Sequence, residues 1–243
     1  TQWRRRPFRA PHHTASAAAL VGGGPKLSPG EISRAHNGVL FLDELPEFNR
    51  NVLEALREPM ETGSITIARA GMQAEFPARF QLVAAMNPCP CGYLGDSKSD
   101  CLCSGDRVLS YRNKISGPLL DRIDLHVEVM RPSTEMLRDG DPDGENSATV
   151  AARVAHVWRQ QIERSGVANA RLEGKELAAV CEIDEQCWAL LERAAERFNL
   201  SARAHQRVLR VSRTIADLAG DRKIAPSHVA EALSLRCLDR RLY

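Results

Sequence analysis

No run of about 18 apolar residues occurs in this 243-residue chain, which excludes a membrane-spanning helix. The opening Thr1-Gln2-Trp3-Arg4-Arg5-Arg6 has neither a Met nor an apolar core. That excludes a signal peptide and is expected of a cut made inside a longer protein. Net charge is also nearly lacking: 33 Lys and Arg meet 31 Asp and Glu, and the resulting +2 predicts no partner by itself. Aromatics are scarce at 5%. Trp3 and Trp158 have no base-stacking neighbours and Trp188 falls on the apolar side of a helical pattern, so all three are assigned to packing. With no secretory features, the seven cysteines, an odd number, read as reduced thiols of a cytoplasmic protein.

What is present is ordinary in bulk, with 43% hydrophobic and 26% charged residues, enough for one large domain or two small ones. The charge is unevenly spread. Residues 1–30 hold Arg4, Arg5, Arg6, Arg9 and Lys26 and no acid, while residues 201–243 hold nine Lys or Arg against four acids. Basic ends of this kind contact nucleic acid or phosphate, or form a solvated face.

Hydrophobic periodicity divides the chain in two. Val39-Leu40-Phe41-Leu42 is a continuous apolar run of the buried-strand type. A short helix is predicted at 16–21, a helix at 50–61, and a hairpin from strands Ser64–Ala68 and Met72–Phe76 turning at Gly71. A second buried strand is predicted at Phe80–Met86, a short helix at 106–115 and a third strand at Leu125–Val129. The polar Asp139-Gly140-Asp141-Pro142-Asp143-Gly144 marks a break. Beyond it only helical patterns remain, at 148–165, 174–180, 184–198, 202–219 and 226–237. Ser201 is placed as the N-cap of the fourth, with Ala204, Val208, Val211, Ile215 and Leu218 along its apolar face. The reading is an α/β core at 1–131, a linker at 132–147 and an all-helical domain at 148–243.

The sharpest motif is VLFL followed by Asp43-Glu44: a buried strand that ends in two carboxylates where α/β sheets hold ligands. This is the Walker B pattern, in which Asp43 would hold the hydration shell of Mg²⁺ and Glu44 would orient and deprotonate the attacking water. The strand at 82–86 ends in Asn87, placed to hold that water or, alternatively, to cap the loop before Pro88. In Gly117-Pro118-Leu119-Leu120-Asp121-Arg122-Ile123-Asp124, Arg122 reads as a phosphate-stabilising arginine or as a salt-bridge partner of Asp121 or Asp124. Arg203, Arg207 and Arg210 share one side of a helix; the first is placed to touch a γ-phosphate and the others form a surface stripe. Cys89-Pro90-Cys91 and Cys101-Leu102-Cys103 are two C-x-C pairs fit for a structural Zn²⁺, with two disulfides or four free thiols as alternatives. His12-His13 reads as a polar loop pair or as a contributor to a metal or phosphate site.

Four strings carry a resemblance: Arg6 to His13 (RPFRAPHH), Gly38 to Phe48 (GVLFLDELPEF), Asn87 to Gly92 (NPCPCG) and Gly117 to Val129 (GPLLDRIDLHVEV). With them the chain resembles, over nearly its whole length, the magnesium chelatase-like AAA+ ATPases, and within them the ComM/YifB branch. The resemblance implies Walker B at Asp43 and Glu44, sensor 1 at Asn87, an arginine finger at Arg122 and sensor 2 at Arg203. It also implies a helix-2 insert at about 15–35 and a presensor-1 hairpin at 64–77, with Arg69 near the hairpin tip as a DNA contact. The implied fold is a partial AAA+ core followed by a helical lid. The implied function is a hexameric DNA helicase that drives branch migration in natural transformation, with ATP and Mg²⁺ as cofactors. A chelatase-type motor acting on a protein partner and a non-enzymatic DNA-binding module are the competing readings.

One departure is plain. The chain has no G-x-x-x-x-G-K-S/T; Gly22-Gly23-Gly24-Pro25-Lys26 has the wrong spacing and no Ser or Thr after its lysine. The segment that grips the β- and γ-phosphates is expected upstream, and this chain alone is expected to be inactive, a monomer or non-native dimer rather than a ring.

Overall fold

In the computed structural model, residues 5–24, 27–69, 72–96, 98–132, 134–139, 144–198 and 200–236 are described. The chain divides into two compact units, Thr1–Ile123 and Asp124–Tyr243.

The first unit carries strands β1 (Phe8–Arg9), β2 (Gly22–Gly23), β3 (Ser28–Pro29), β4 (Val39–Leu42), β5 (Ser64–Arg69), β6 (Met72–Pro77) and β7 (Gln81–Ala84). Its helices are α1 (Ala17–Val21), α2 (Glu31–Arg34), α3 (Arg50–Ala55), α4 (Arg57–Thr62), α5 (Gly105–Arg112) and α6 (Gly117–Leu120). The central sheet has the order β1-β4-β7, both pairs parallel, with Leu42 opposite Ala84. Leu40 and Leu42 are fully buried, while Val39 and Phe41 are half-buried. Strand β7, expected to be buried, is exposed at Gln81, Val83 and Ala84, because it lies at the edge of the sheet. Strand β1 lies beside β4 because Gly38 lets the chains touch: Val39 N–H donates to Pro7 O at 2.8 Å. A Cβ at Gly38 would sit 1.9 Å from that oxygen.

The segment read as one helix over 50–61 is two. Pro59 has no N–H for the carbonyl of Ala55, so the helix stops at Ala55 and restarts at Arg57. The hairpin β5–β6 is a six-pair antiparallel ladder from Ser64↔Pro77 to Arg69↔Met72. Its tip, Ala70-Gly71, lies outside the described residues, and so do Trp3, Lys26 and Cys237. The strand expected at Leu125–Val129 does not form. Only an isolated bridge joins His126 to Arg236, and Leu125, Val127 and Val129 are exposed. Alternating apolar residues make a strand only where a neighbour supplies a ladder, and among the described residues this stretch has the one bridge.

The second unit holds α7 (Thr134–Asp139), inside the stretch read as linker, then α8 (Ser147–Ser165), α9 (Gly174–Val180), α10 (Glu185–Phe198), α11 (Ala202–Ala219) and α12 (Pro226–Ser234). Asn146 and Ser201 cap α8 and α11 by accepting from Thr149 N–H and Ala204 N–H, and Gly166 and Gly220 end them in left-handed conformation. Leu172, Leu191, Val208, Ala216 and Val229 form its core. The inward face of α11 is rotated from the expected one. Leu218 is exposed, whereas Leu209, Ser212, Arg213 and Asp217 are buried, because Arg213 and Asp217 belong to an interior charge network that the apolar pattern does not register.

Candidate functional site

The two carboxylates at the end of β4 owe their position to an interruption of its ladder. Ala85 N–H donates to Leu42 O and Ala85 O accepts from Leu45 N–H, both at 2.9 Å. Asp43 and Glu44 are therefore extra residues on that strand, pushed out of the sheet in the manner of a bulge. Glu44 takes φ 51° and ψ 48°, a left-handed backbone that is costly for a residue with a Cβ. Asp43 Oδ1 accepts the Glu44 N–H at 2.9 Å, which braces the turn. Both side chains face solvent, as a phosphate or metal ligand requires. Three residues beyond the end of the neighbouring β7, Asn87 is exposed as well. Its backbone N–H meets the Tyr111 phenol oxygen from α5; burial first, then the Glu47 carboxylate, pushes that phenol up.

A third strand end joins this edge. From β1 the chain runs to His13, whose Nδ1 lies 2.9 Å from Glu44 Oε2. The ring is set by His12, with centroids 4.1 Å apart, and by the edge of Phe48. Arg9 is not a phosphate ligand here. It pairs with Glu31 of α2 through Nε and Nη2 and holds that carboxylate below its usual range. The sequence offers His13 as one of a polar loop pair or as a contributor to a metal or phosphate site; its contact with Glu44 spans 31 positions, so no local pattern announces it. A cleft of about 540 Å³ opens beside it, lined by Ser16, Glu47 and Asn51; a larger one, about 700 Å³, lies past Glu47 towards Asp106 and Lys114.

Arg122, just after α6, is 6% exposed. Its Nη2 lies 2.9 Å from Glu61 Oε1 and its Nη1 donates to Pro118 O at 2.6 Å. Arg207 pairs with Asp124, and Arg210 donates to Leu172 O at 2.8 Å, so neither is a bare surface stripe. Burial first, then Arg207, pulls the Arg210 guanidinium below its ordinary value. Arg203 stands exposed in the first turn of α11, in the second unit. Arg69 ends β5 and pairs in register with Met72.

Directly after Asn87 the chain gathers four thiols. The Sγ atoms of Cys89, Cys91, Cys101 and Cys103 all lie within 4.8 Å of one another. Tyr93 N–H, then the neighbouring thiols, draw Cys91 down to about 6. Although Cys103 N–H favours its thiolate, burial and the adjoining sulfurs push Cys101 up to about 12. Four sulfurs this close share one negative charge readily and a second only with difficulty.

The model of the family "Magnesium chelatase, subunit ChlI" matches residues 1–137, and that of its C-terminal part matches 144–236. The chain is 51% identical over 241 residues to the competence protein ComM of Haemophilus influenzae, covering 99% of this chain and 47% of that protein. It is 48% identical to YifB of Escherichia coli with the same coverage. The magnesium-chelatase 38 kDa subunit of Acidiphilium rubrum is 24% identical over 92% of this chain and 58% of its own length. The chain thus spans about half the length of ComM and YifB.

Proposed function

Because the chain belongs to the magnesium chelatase subunit ChlI family, we propose that it is the hydrolytic and lid part of an AAA+ ATP-driven motor acting on DNA. The observation that carries the reading is the shared edge of β4 and β7, where Asp43, Glu44 and Asn87 emerge from parallel, hydrogen-bonded strands. In the full-length protein Asp43 would hold the hydrated magnesium ion, Glu44 would orient the attacking water and take its proton, and Asn87 would hold that water. ATP with Mg²⁺ supplies the phosphoryl chemistry when bound. Arg122 would act as an arginine finger on the nucleotide of the next subunit in a hexameric ring, and Arg203, in the helical unit, would serve as the sensor of the γ-phosphate. The hairpin β5–β6, with Arg69, contacts DNA. Identity of 51% to a competence protein against 24% to a chelatase subunit supports branch migration of DNA in transformation over remodelling of a protein partner.

His13 enters this scheme as a positioning residue. By donating Nδ1–H to the Glu44 carboxylate it fixes which oxygen faces the water. In the full-length protein Glu44→Gln is expected to lower kcat by about 10²–10⁴ while sparing nucleotide binding. His13→Ala is expected to lower kcat about tenfold with KM nearly unchanged, from loss of one charge-assisted hydrogen bond, and His13→Asn to recover part of it. ATPase activity stimulated by branched or single-stranded DNA supports the reading. Stimulation only by a protein partner would move it to the chelatase type, and an active Glu44→Gln would overturn the assignment of the site.

The 243-residue chain by itself is expected not to turn over ATP. Hydrolysis needs both terminal phosphates held in line with the water, and the sequence has no G-x-x-x-x-G-K-S/T to hold them. Calorimetric titration with Mg-ATP is expected to show affinity no tighter than about 1 mM, roughly 4 kcal/mol. Micromolar binding would show that other residues of the chain grip the phosphates.

A further inference from the structure

We propose that Cys89, Cys91, Cys101 and Cys103 hold one Zn²⁺ ion in a closed four-thiolate site that braces the loop following Asn87. The distances select this chemistry. Zinc sits about 2.3 Å from each thiolate, so a regular tetrahedron has sulfur–sulfur edges of about 3.8 Å. Here Cys89–Cys91 is 3.4 Å, and Cys89–Cys101 and Cys91–Cys101 are both 3.6 Å, with Cys103 inside the same 4.8 Å limit. Disulfides need sulfurs about 2.05 Å apart, and all four cysteines are free. A multi-iron cluster spreads its thiols around its own body, wider than these four stand. One compact, thiolate-loving ion fits the space that remains.

The surroundings are those of a ligand set. Backbone N–H groups of Tyr93, Cys103 and Cys91 point to the sulfurs of Cys91, Cys101 and Cys103. Such donors disperse the excess negative charge of four thiolates on a dication. Cys89 is fully buried and the other three are half-buried. The loop has little else to fold around. Tyr93, Leu94 and Leu102 are all exposed, so the described residues of 89–103 form no apolar core of their own. Local polar bonds shape it: Gly92 N–H donates to Cys89 O at 3.0 Å, and the Asp96 carboxylate accepts from Lys98 N–H and Ser99 N–H. A bound ion replaces the missing core, as in small metal-nucleated folds. With four protein ligands and no open position the ion is structural. Its mechanical target is adjacent: Arg112 of α5 donates twice to Pro88 O, at 3.1 and 3.0 Å, so the metal loop and α5 grip the peptide next to Asn87 from both sides.

The metal site stands on the thiols alone and does not depend on the ATPase reading. The test uses this chain, purified without chelator and without a metal-affinity step. Elemental analysis is expected to give about one zinc per chain, released when a mercurial titrates the thiols. Cobalt substitution is expected to give the visible bands of a tetrahedral thiolate site. Cys101→Ser and Cys91→Ser should lower the zinc content severalfold, and Cys181→Ala, in the helical unit, should leave it unchanged. Should the serine variants fail to fold, chelation of the wild-type chain remains a test: removing zinc should expose residues 89–103 to protease while the helical unit stays intact. Metal-free protein with an undigested loop, iron in place of zinc, or a mass that shows two disulfides would each overturn the proposal.

Discussion

Asp217→Ala is expected to destabilise the helical unit by about 3–5 kcal/mol, because it leaves an interior cation without its counter-charge. Arg164 clasps Asp217 with both ends of its guanidinium, at 2.7 and 2.9 Å, from α8. Arg213, one turn earlier on α11, donates Nε–H to the same carboxylate at 3.0 Å, and Asn169 adds an amide at 2.8 Å. The Arg213 and Asp217 side chains are 3% and 5% exposed. Burial opposes the Asp217 charge, yet Arg164, Asn169 and Arg213 outweigh it and hold the carboxyl below its ordinary value. Asp217→Asn keeps the volume and one acceptor and should cost less. The pH dependence follows from the lowered value. The unfolded carboxyl titrates near about 3.9, so the contribution is whole above that pH and is lost as pH falls through the lower folded value. Urea unfolding followed by Trp158 and Trp188, both in this unit, should show the gap between wild type and Asp217→Asn closing in acid. A loss under about 1 kcal/mol for Asp217→Ala would show that Arg213 is adequately served by the carbonyls of Asp221 and Arg222.

That network also marks where sequence reading runs out. Helices were legible because their periodicity is local, and Ser201 caps α11 as its place before the apolar face predicts; Asn146, Gly166 and Gly220 add caps that the structure identifies. Strand β4 was legible because the central strand of a parallel sheet reads as a continuous apolar run, although only Leu40 and Leu42 are fully buried. Strand β1 spans two residues and leaves no pattern. Leu125–Val129 has strand composition, yet it lacks a neighbour that would turn composition into a ladder. Which way α11 faces depended on where two charges pair, Arg213 with Asp217, and hydrophobic periodicity ranks both as outward. The positions of Asp43, Glu44 and Asn87 just past the ends of β4 and β7 were legible, since a residue's place after a strand is a sequence-local arrangement. His13 beside Glu44 and Glu61 beside Arg122 were not, being pairs of residues 31 and 61 positions apart that only the packed chain brings together.

Arg122→Ala is expected to abolish ATP hydrolysis in the full-length protein while leaving nucleotide binding largely intact, a loss on the order of 10³–10⁵ for an arginine finger. The buried pair with Glu61 offers a competing cause, because losing Arg122 also strands that carboxylate. Glu61→Gln separates the two. It breaks the same ion pair but keeps the guanidinium, so activity should stay within a few-fold of wild type if Arg122 works on a neighbour's nucleotide. Activity should collapse as far as in Arg122→Ala if the pair merely holds the fold. Mixed rings give the second discrimination. Neither Arg122→Ala nor Glu44→Gln subunits are expected to hydrolyse ATP at an appreciable rate alone. When they are mixed, some interfaces of the proposed ring would place an intact Glu44 in one subunit against an intact Arg122 from the next, and part of the activity should return. The recovered fraction should depend on the mixing ratio and peak between the pure populations. Absence of rescue at every ratio, together with an inactive Glu61→Gln, would assign Arg122 to its own subunit's interior, where its 6% exposure and its bond to Pro118 O already anchor it.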